Sequence, residues 1–190
     1  IVFNDWTYPN FIKLMDQLGV RSNATEMSFS VHDTDTRLEY NGNTLNSLFA
    51  QRGNLLSPAF WGMLRDILRF NREAVRDLDE QRIAADTRLG DYLQQRGYGE
   101  RFIEHYIVPM GAAIWSCSLQ EMRRFPLPLF LRFFEHHGLL DITDRPQWYV
   151  VPGGSREYLR AMLAQLGDRV TLHVNAPVQQ VFRHEKGVKI

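Results

Sequence analysis

Cysteine is almost absent: Cys117 is the single thiol in 190 residues. That excludes an intrachain disulfide and a cysteine-rich zinc site, and it makes a reducing, cytoplasmic compartment the expectation. An excess of either charge is also missing, because 22 Lys and Arg balance 22 Asp and Glu. A nucleic-acid partner calls for a basic surplus, so none is expected. Lysine is scarce and occurs only as Lys13, Lys186 and Lys189, which leaves arginine to carry the positive charge. No run of about 18 apolar residues appears, so no membrane span is expected. The opening Ile1-Val2-Phe3-Asn4 has no initiator Met and no signal-peptide pattern. The G-x-G-x-x-G fingerprint is missing as well, which removes the ordinary sign of a dinucleotide-binding turn.

What remains has the composition of a globular protein, with 44% hydrophobic and 12% aromatic residues, enough for one substantial core. Ile1–Asn4 and Gly187–Ile190 both resemble strands cut partway, which predicts an internal piece of a longer chain. Pro9 opens a helix with Phe11, Leu14, Met15 and Leu18 on one face, and Gly19 suits its left-handed end. Met27–Val31 and Arg37–Tyr40 predict a hairpin across Asp33-Thr34-Asp35-Thr36. Ser57-Pro58 starts a long helix whose predicted buried stripe is Trp61, Leu64, Leu68, Val75 and Leu78. Thr87 is a predicted cap for a helix ending at Gly97. A further helix runs from Arg101 to Val108 and is closed by Pro109. Ser118 and Glu121 form a capping box, and Pro128 begins a helix ended by Gly138. A strand over Gln147–Val151, a Pro152-Gly153-Gly154 turn and a helix capped by Ser155 follow. Strands are predicted at Val170–Val174 and Val178–Phe182, with a turn at Glu185-Lys186-Gly187 into a third.

Few residues announce chemistry. Gly153-Gly154-Ser155 lies between strand and helix, where amides cradle anions, although a turn and cap explain it as well. His136 and His137 point about 100° apart on a helix and cannot easily share a metal, so no metal site is expected; a C-terminal dipole contact accounts for them. Phe3, Trp6, Tyr8, Trp115, Trp148 and Tyr149 stand at segment ends beside Gly or Pro. Such rings suit an apolar substrate or a flat cofactor, or ordinary packing. Gly111-Ala112-Ala113 admits a close approach by a ligand or a helix.

Gln147-Trp148-Tyr149-Val150-Val151-Pro152-Gly153-Gly154-Ser155, followed by Leu166-Gly167-Asp168-Arg169-Val170 and Asn175-Ala176-Pro177-Val178, resembles the flavin-containing amine oxidase superfamily. That superfamily includes monoamine oxidases, protoporphyrinogen oxidases and phytoene desaturases. Ile1–Val20 and Pro109–Trp115 are similar to further segments of it. The resemblance implies that the backbone of Val178 meets the adenine of FAD, and that Val2, Phe3 and Asn4 border the isoalloxazine ring. It also implies that Gln147, Tyr149 and Trp115 face the substrate cavity. The implied activity is hydride transfer from a C–N or C–C bond of an apolar or amine substrate to flavin. The glycine-rich unit and the last FAD segment would lie outside these residues, so the chain alone would not retain FAD. No catalytic residue is assigned. The alternatives are a non-redox domain for an apolar ligand or partner, and a flavin-dependent lipid or isoprenoid desaturase or isomerase.

The expected fold class is α+β. Residues 1–168 would form a substrate-binding domain with a mostly helical middle, and 169–190 would be partial strands of a FAD-binding domain. The hairpin and the Gln147–Val151 strand are expected to share one mixed or antiparallel sheet with helices on one face. Self-association through exposed apolar surface is a further expectation.

Overall fold

The computed structural model describes residues 1–141 and 144–190. Strand β1 (Val2–Asn4) ends in a turn made by a side chain. Asn4 Oδ1 accepts from the Trp6 and Thr7 amides at 3.0 and 2.9 Å, and from the Thr7 hydroxyl. A short carboxamide thus replaces the backbone acceptor that a reversing chain lacks. Helix α1 (Pro9–Leu18) then runs to Gly19, whose φ of 65° needs a residue without Cβ. After β2 (Asn23–Thr25), strands β3 (Ser30–Asp33) and β4 (Leu38–Asn41) form a hairpin. The Asp33 carboxylate accepts from the Asp35 and Thr36 amides and the Thr36 hydroxyl to close the hairpin turn.

The middle is helical. Helix α2 (Leu45–Leu48) and a 3-10 turn lead into α3 (Pro58–Asp79), whose first turn is capped by the Ser57 hydroxyl. The buried face of α3 is one step round from the expected stripe. Phe60, Met63, Phe70 and Ala74 point inward, whereas Trp61 and Leu68 are about half exposed. Asp66 and Asp77 are buried on that face as well, and Asp66 Oδ1, with no hydrogen bond among the described residues, lies 3.9 Å from Arg65 and Arg69. The Gly99 amide donates to Asp66, while the Tyr92 hydroxyl donates to Asp77 at 2.9 Å and Arg82 and Arg96 pair with it. A buried carboxylate is tolerated when it is paired in this way.

Helix α4 (Leu89–Gln95) starts two residues after Thr87, which does not cap it. Instead the Thr87 carbonyl accepts from the Leu127 amide, and the Leu89 amide donates to the Phe125 carbonyl. Helix α5 (Glu100–Phe102), a π turn (Ile103–Ile107) and α6 (Val108–Trp115) form one continuous rod through Pro109, which therefore does not end the helix. The Val108 amide reaches back five residues to the Ile103 carbonyl. Pro109 has no N–H for the His105 carbonyl, and the Tyr40 hydroxyl donates to that carbonyl at 2.7 Å. Helix α7 (Leu119–Arg123) carries the Ser118–Glu121 capping box, and α8 (Leu127–His136) ends before Gly138 at φ 64°. Gly111 is a helix contact: a Cβ there would lie 2.7 Å from Met122 Sδ and 2.9 Å from Phe130.

Strand β5 (Trp148–Val150) is central in a three-stranded sheet, antiparallel to β1 on one side and β2 on the other. The fold class is α+β, but the hairpin and β5 do not share a sheet. Both edges of β5 are occupied, and the hairpin turns Leu38 and Tyr40 into the helical core instead. A smaller core of Phe3, Met15 and Val151 lies between the sheet, α1 and α9 (Arg156–Leu166). Ser155 has helical backbone and makes no capping bond. Residues 170–181 form no strand and are exposed; the only pairing beyond α9 is the hairpin β6 (Phe182–His184) and β7 (Gly187–Lys189). With no second layer against them, Val170, Leu172 and Val174 have no apolar face to bury. Among the described residues no helix is long and apolar enough to cross a membrane.

Candidate functional site

A cavity of about 460 Å³ opens between the three-stranded sheet, the β3–β4 hairpin and the helical core, a volume typical of small-molecule sites. The rod made by α5, the π turn and α6 provides its floor. Tyr106, Met110, Ala113 and Ile114 recur at spacings of three and four and share one helix face. The hairpin side contributes Met27, Phe29, Tyr40 and Asn43, and the sheet contributes Val2 and Trp148. Phe133, His137 and Leu139 at the end of α8 complete the wall, with Tyr8 and Arg145 at its rim.

The polar groups in this lining are few and oriented. The ring of His137 stacks on Phe133 at 4.0 Å and faces Trp148 at 6.1 Å, with interplanar angles of 21° and 19°. Its Nδ1 lies 2.8 Å from the Phe133 carbonyl. A carbonyl only accepts, so Nδ1 carries the hydrogen and the neutral ring presents Nε2 as an acceptor. Tyr106 stacks on Phe102 and meets Phe29 edge-on. Burial pushes its phenol pKa up, and the nearby Arg145 guanidinium pulls it partly back. Tyr106 nonetheless keeps accessible surface because that surface faces the cavity and not bulk solvent. Burial also pushes up the Tyr40 phenol, followed by the proximity of Tyr106. A second depression of similar size is lined by Gly90, Asp91, Gln94, Tyr98, Ile103 and Arg123. Its one cation, Arg123, is already paired with Glu104.

The residues singled out by resemblance divide across this frame. Val2 lines the cavity, as does Trp148 on the same face of the sheet. Phe3 points the other way, stacking on Tyr149 at 5.7 Å and meeting Phe11 edge-on at 4.9 Å in the smaller core. Tyr149 is therefore a packing residue on the far face of the sheet, while Trp148, one position earlier, faces the cavity. Strand alternation explains both placements. Gln147 is exposed, and its Nε2 donates to the Thr25 and Trp148 carbonyls, which ties β2 to β5. Trp115 packs among Phe125, Phe130 and Phe133 and does not line the cavity; its neighbours Ala113 and Ile114 do. Val178 is 60% exposed on an irregular segment. Asn4 is fully buried, and its Nδ2 has no acceptor among the described residues. The Gly153-Gly154 turn is a poor phosphate cradle, because the Glu157 side chain packs against Gly153.

Sequence patterns alone did not mark Tyr40, Tyr106 or Arg145. The Tyr106–Met110–Ala113 spacing was the one local signal, and it reads equally well as core. No protein-family model matches the chain, and no curated protein matches it.

Proposed function

We propose that this chain forms the substrate side of an FAD-dependent oxidoreductase of the flavin amine oxidase type. The nucleotide-binding part would then be supplied by polypeptide outside these residues. One observation carries the reading: the strand assigned to the flavin edge, β1, lends Val2 to the wall of the aromatic cavity. Asn4, on the same face of β1 by strand alternation, is fully buried beside the cavity wall and holds an Nδ2 donor without an acceptor among the described residues. Of the three residues implied for the ring end of the cofactor, Val2 is the one whose surface faces the cavity. No fit for the pyrophosphate is offered at Gly153-Gly154, where Glu157 would repel it. The exposed Val178 backbone is free to meet the adenine end.

A bound flavin would supply a two-electron acceptor for hydride from a C–H of the substrate, which with loss of a proton would become a C=N or C=C compound, oxygen or another acceptor taking the electrons on. The chain's own part is to bind and shield. Met110, Ile114, Phe29 and Phe133 surround the apolar body of the substrate and exclude water. His137 and Tyr106 orient its polar atoms. The amine oxidase, desaturase and isomerase variants of this reading share that role.

The test is the visible absorption spectrum of the purified polypeptide that contains this chain. Two flavin bands that bleach with dithionite are expected, and the isolated 190 residues are expected to be colourless. A folded, colourless longer polypeptide would sink the proposal. It would favour the second reading, a non-redox site for an apolar ligand, which the completeness of the cavity within this chain supports.

A further inference from the structure

We infer that the ligand of this cavity is an apolar molecule bearing one negative charge, and not an amine cation, with Arg145 as the group that recognises the charge. The inference rests on the proposed function only in taking this cavity as the substrate site, and it narrows the substrate class. Among the described residues that line the cavity there is no Asp or Glu, and Arg145 is the one permanently charged group. Its Nε donates to the Asp141 carbonyl at 3.0 Å, which fixes the side chain and leaves both terminal nitrogens without a hydrogen bond among the described residues. Arg145 makes no ion pair among the described residues, unlike Arg82, Arg96 and Arg123.

No carboxylate forms an ion pair with Arg145 among the described residues, and none lines the cavity. Asp141 accepts from the Asp144 amide, and Glu26, behind the wall, accepts from Asn43. A guanidinium fork beside apolar walls matches a carboxylate in charge and shape, whereas an ammonium group brought to the same rim is repelled. Tyr106 adds a second donor at this end. The influence of Arg145 reaches its phenol, and no hydrogen bond occupies its hydroxyl among the described residues. The apolar remainder of the ligand lies against Met110, Ile114 and Phe29. His137 Nε2 is a further polar atom of the lining.

The experiment uses N-phenylnaphthylamine, a neutral dye that brightens in apolar cavities, as reporter. Naphthylacetate and naphthylmethylamine, matched in ring and opposite in charge, compete for it. Naphthylacetate is expected to displace the dye at concentrations about tenfold lower than the amine, the scale of one charge-assisted contact. Arg145→Gln is expected to remove that difference while changing dye affinity less than about twofold, and Arg145→Lys to keep most of it. Ala113→Trp, which fills the cavity floor, is expected to abolish dye binding. Equal displacement by acid and amine, or better displacement by the amine, overturns the inference. So does an equal loss of dye and acid binding in Arg145→Gln, or dye binding untouched by Ala113→Trp. A missing flavin spectrum bears on the redox reading alone and leaves this result standing.

Discussion

At the scale of single residues, polar side chains decide what apolar patterns leave open. Asp33 is the clearest case. Hydrogen bonds from the Thr36 hydroxyl, from His105 at 2.6 Å and from the Asp35 amide hold its carboxyl well below the usual carboxylate range. A depressed folded-state value means that the stabilisation is complete above the unfolded-state value, near 3.8. It is lost as pH falls through the folded value. Urea midpoints measured from pH 6 down to pH 2 are expected to fall less steeply for Asp33→Asn than for the parent chain. Parallel curves would show that the turn contributes nothing to acid sensitivity. On α3, Leu64 and Leu78 of the expected stripe pack against the core, but Trp61 and Leu68 lie half exposed because Phe60, Met63, Phe70 and Ala74 form the buried face, with Asp66 and Asp77 carried in among them. No hydropathy pattern carries information about partners as distant as Tyr92 and Gly99.

At the scale of elements, boundaries set by local chemistry were readable and those set by tertiary contacts were not. Ser57-Pro58, Gly19, Gly138 and the Ser118–Glu121 box act within a few residues and lie where their chemistry requires. Pro109 is a helix stop by any local rule. Its helix continues because the π turn and the hydroxyl of Tyr40 accommodate the missing N–H. That compensation is measurable. Tyr40→Phe is expected to cost about 1 kcal/mol in urea unfolding. In a Pro109→Ala background, which restores an N–H near the His105 carbonyl, the cost is expected to shrink by about half a kcal/mol or more. An unchanged cost would separate the two residues energetically. In the candidate site, the resemblance implied Val2 as a flavin-edge residue, and the structure places it in the cavity wall. The opposite facing of Phe3 and Tyr149 depends on the register of β1 and β5, which no single segment encodes. Tyr106, Arg145 and Tyr40 come from separate elements and meet only in the folded chain.

At the scale of the whole molecule, the helical core and the small sheet-side core enclose the cavity, while residues 167–190 lie outside both and are exposed throughout. Val170, Leu172, Val174, Val178, Val181 and Phe182 are among the exposed apolar side chains of this stretch. Apolar residues presented together in this way favour association. Removing residues 170–190 is expected to shift the urea midpoint little, since no buried surface is lost. Light scattering across a concentration series is expected to show less association after the deletion. A large loss of stability, or association unchanged by the deletion, would contradict this picture. The sheet, by contrast, joins residues far apart in the chain, because β5 lies between β1 and β2. The consequence concerns time. At ~5–20 residues per second, β1 leaves the ribosome roughly 7–30 s before the strand that pairs with it. The floor around Tyr106 and Met110 is made about 40 residues before Trp148, so for roughly the last 2–8 s it lacks the sheet side of the cavity, and nascent chains stalled before Trp148 are the species a chaperone would find to hold.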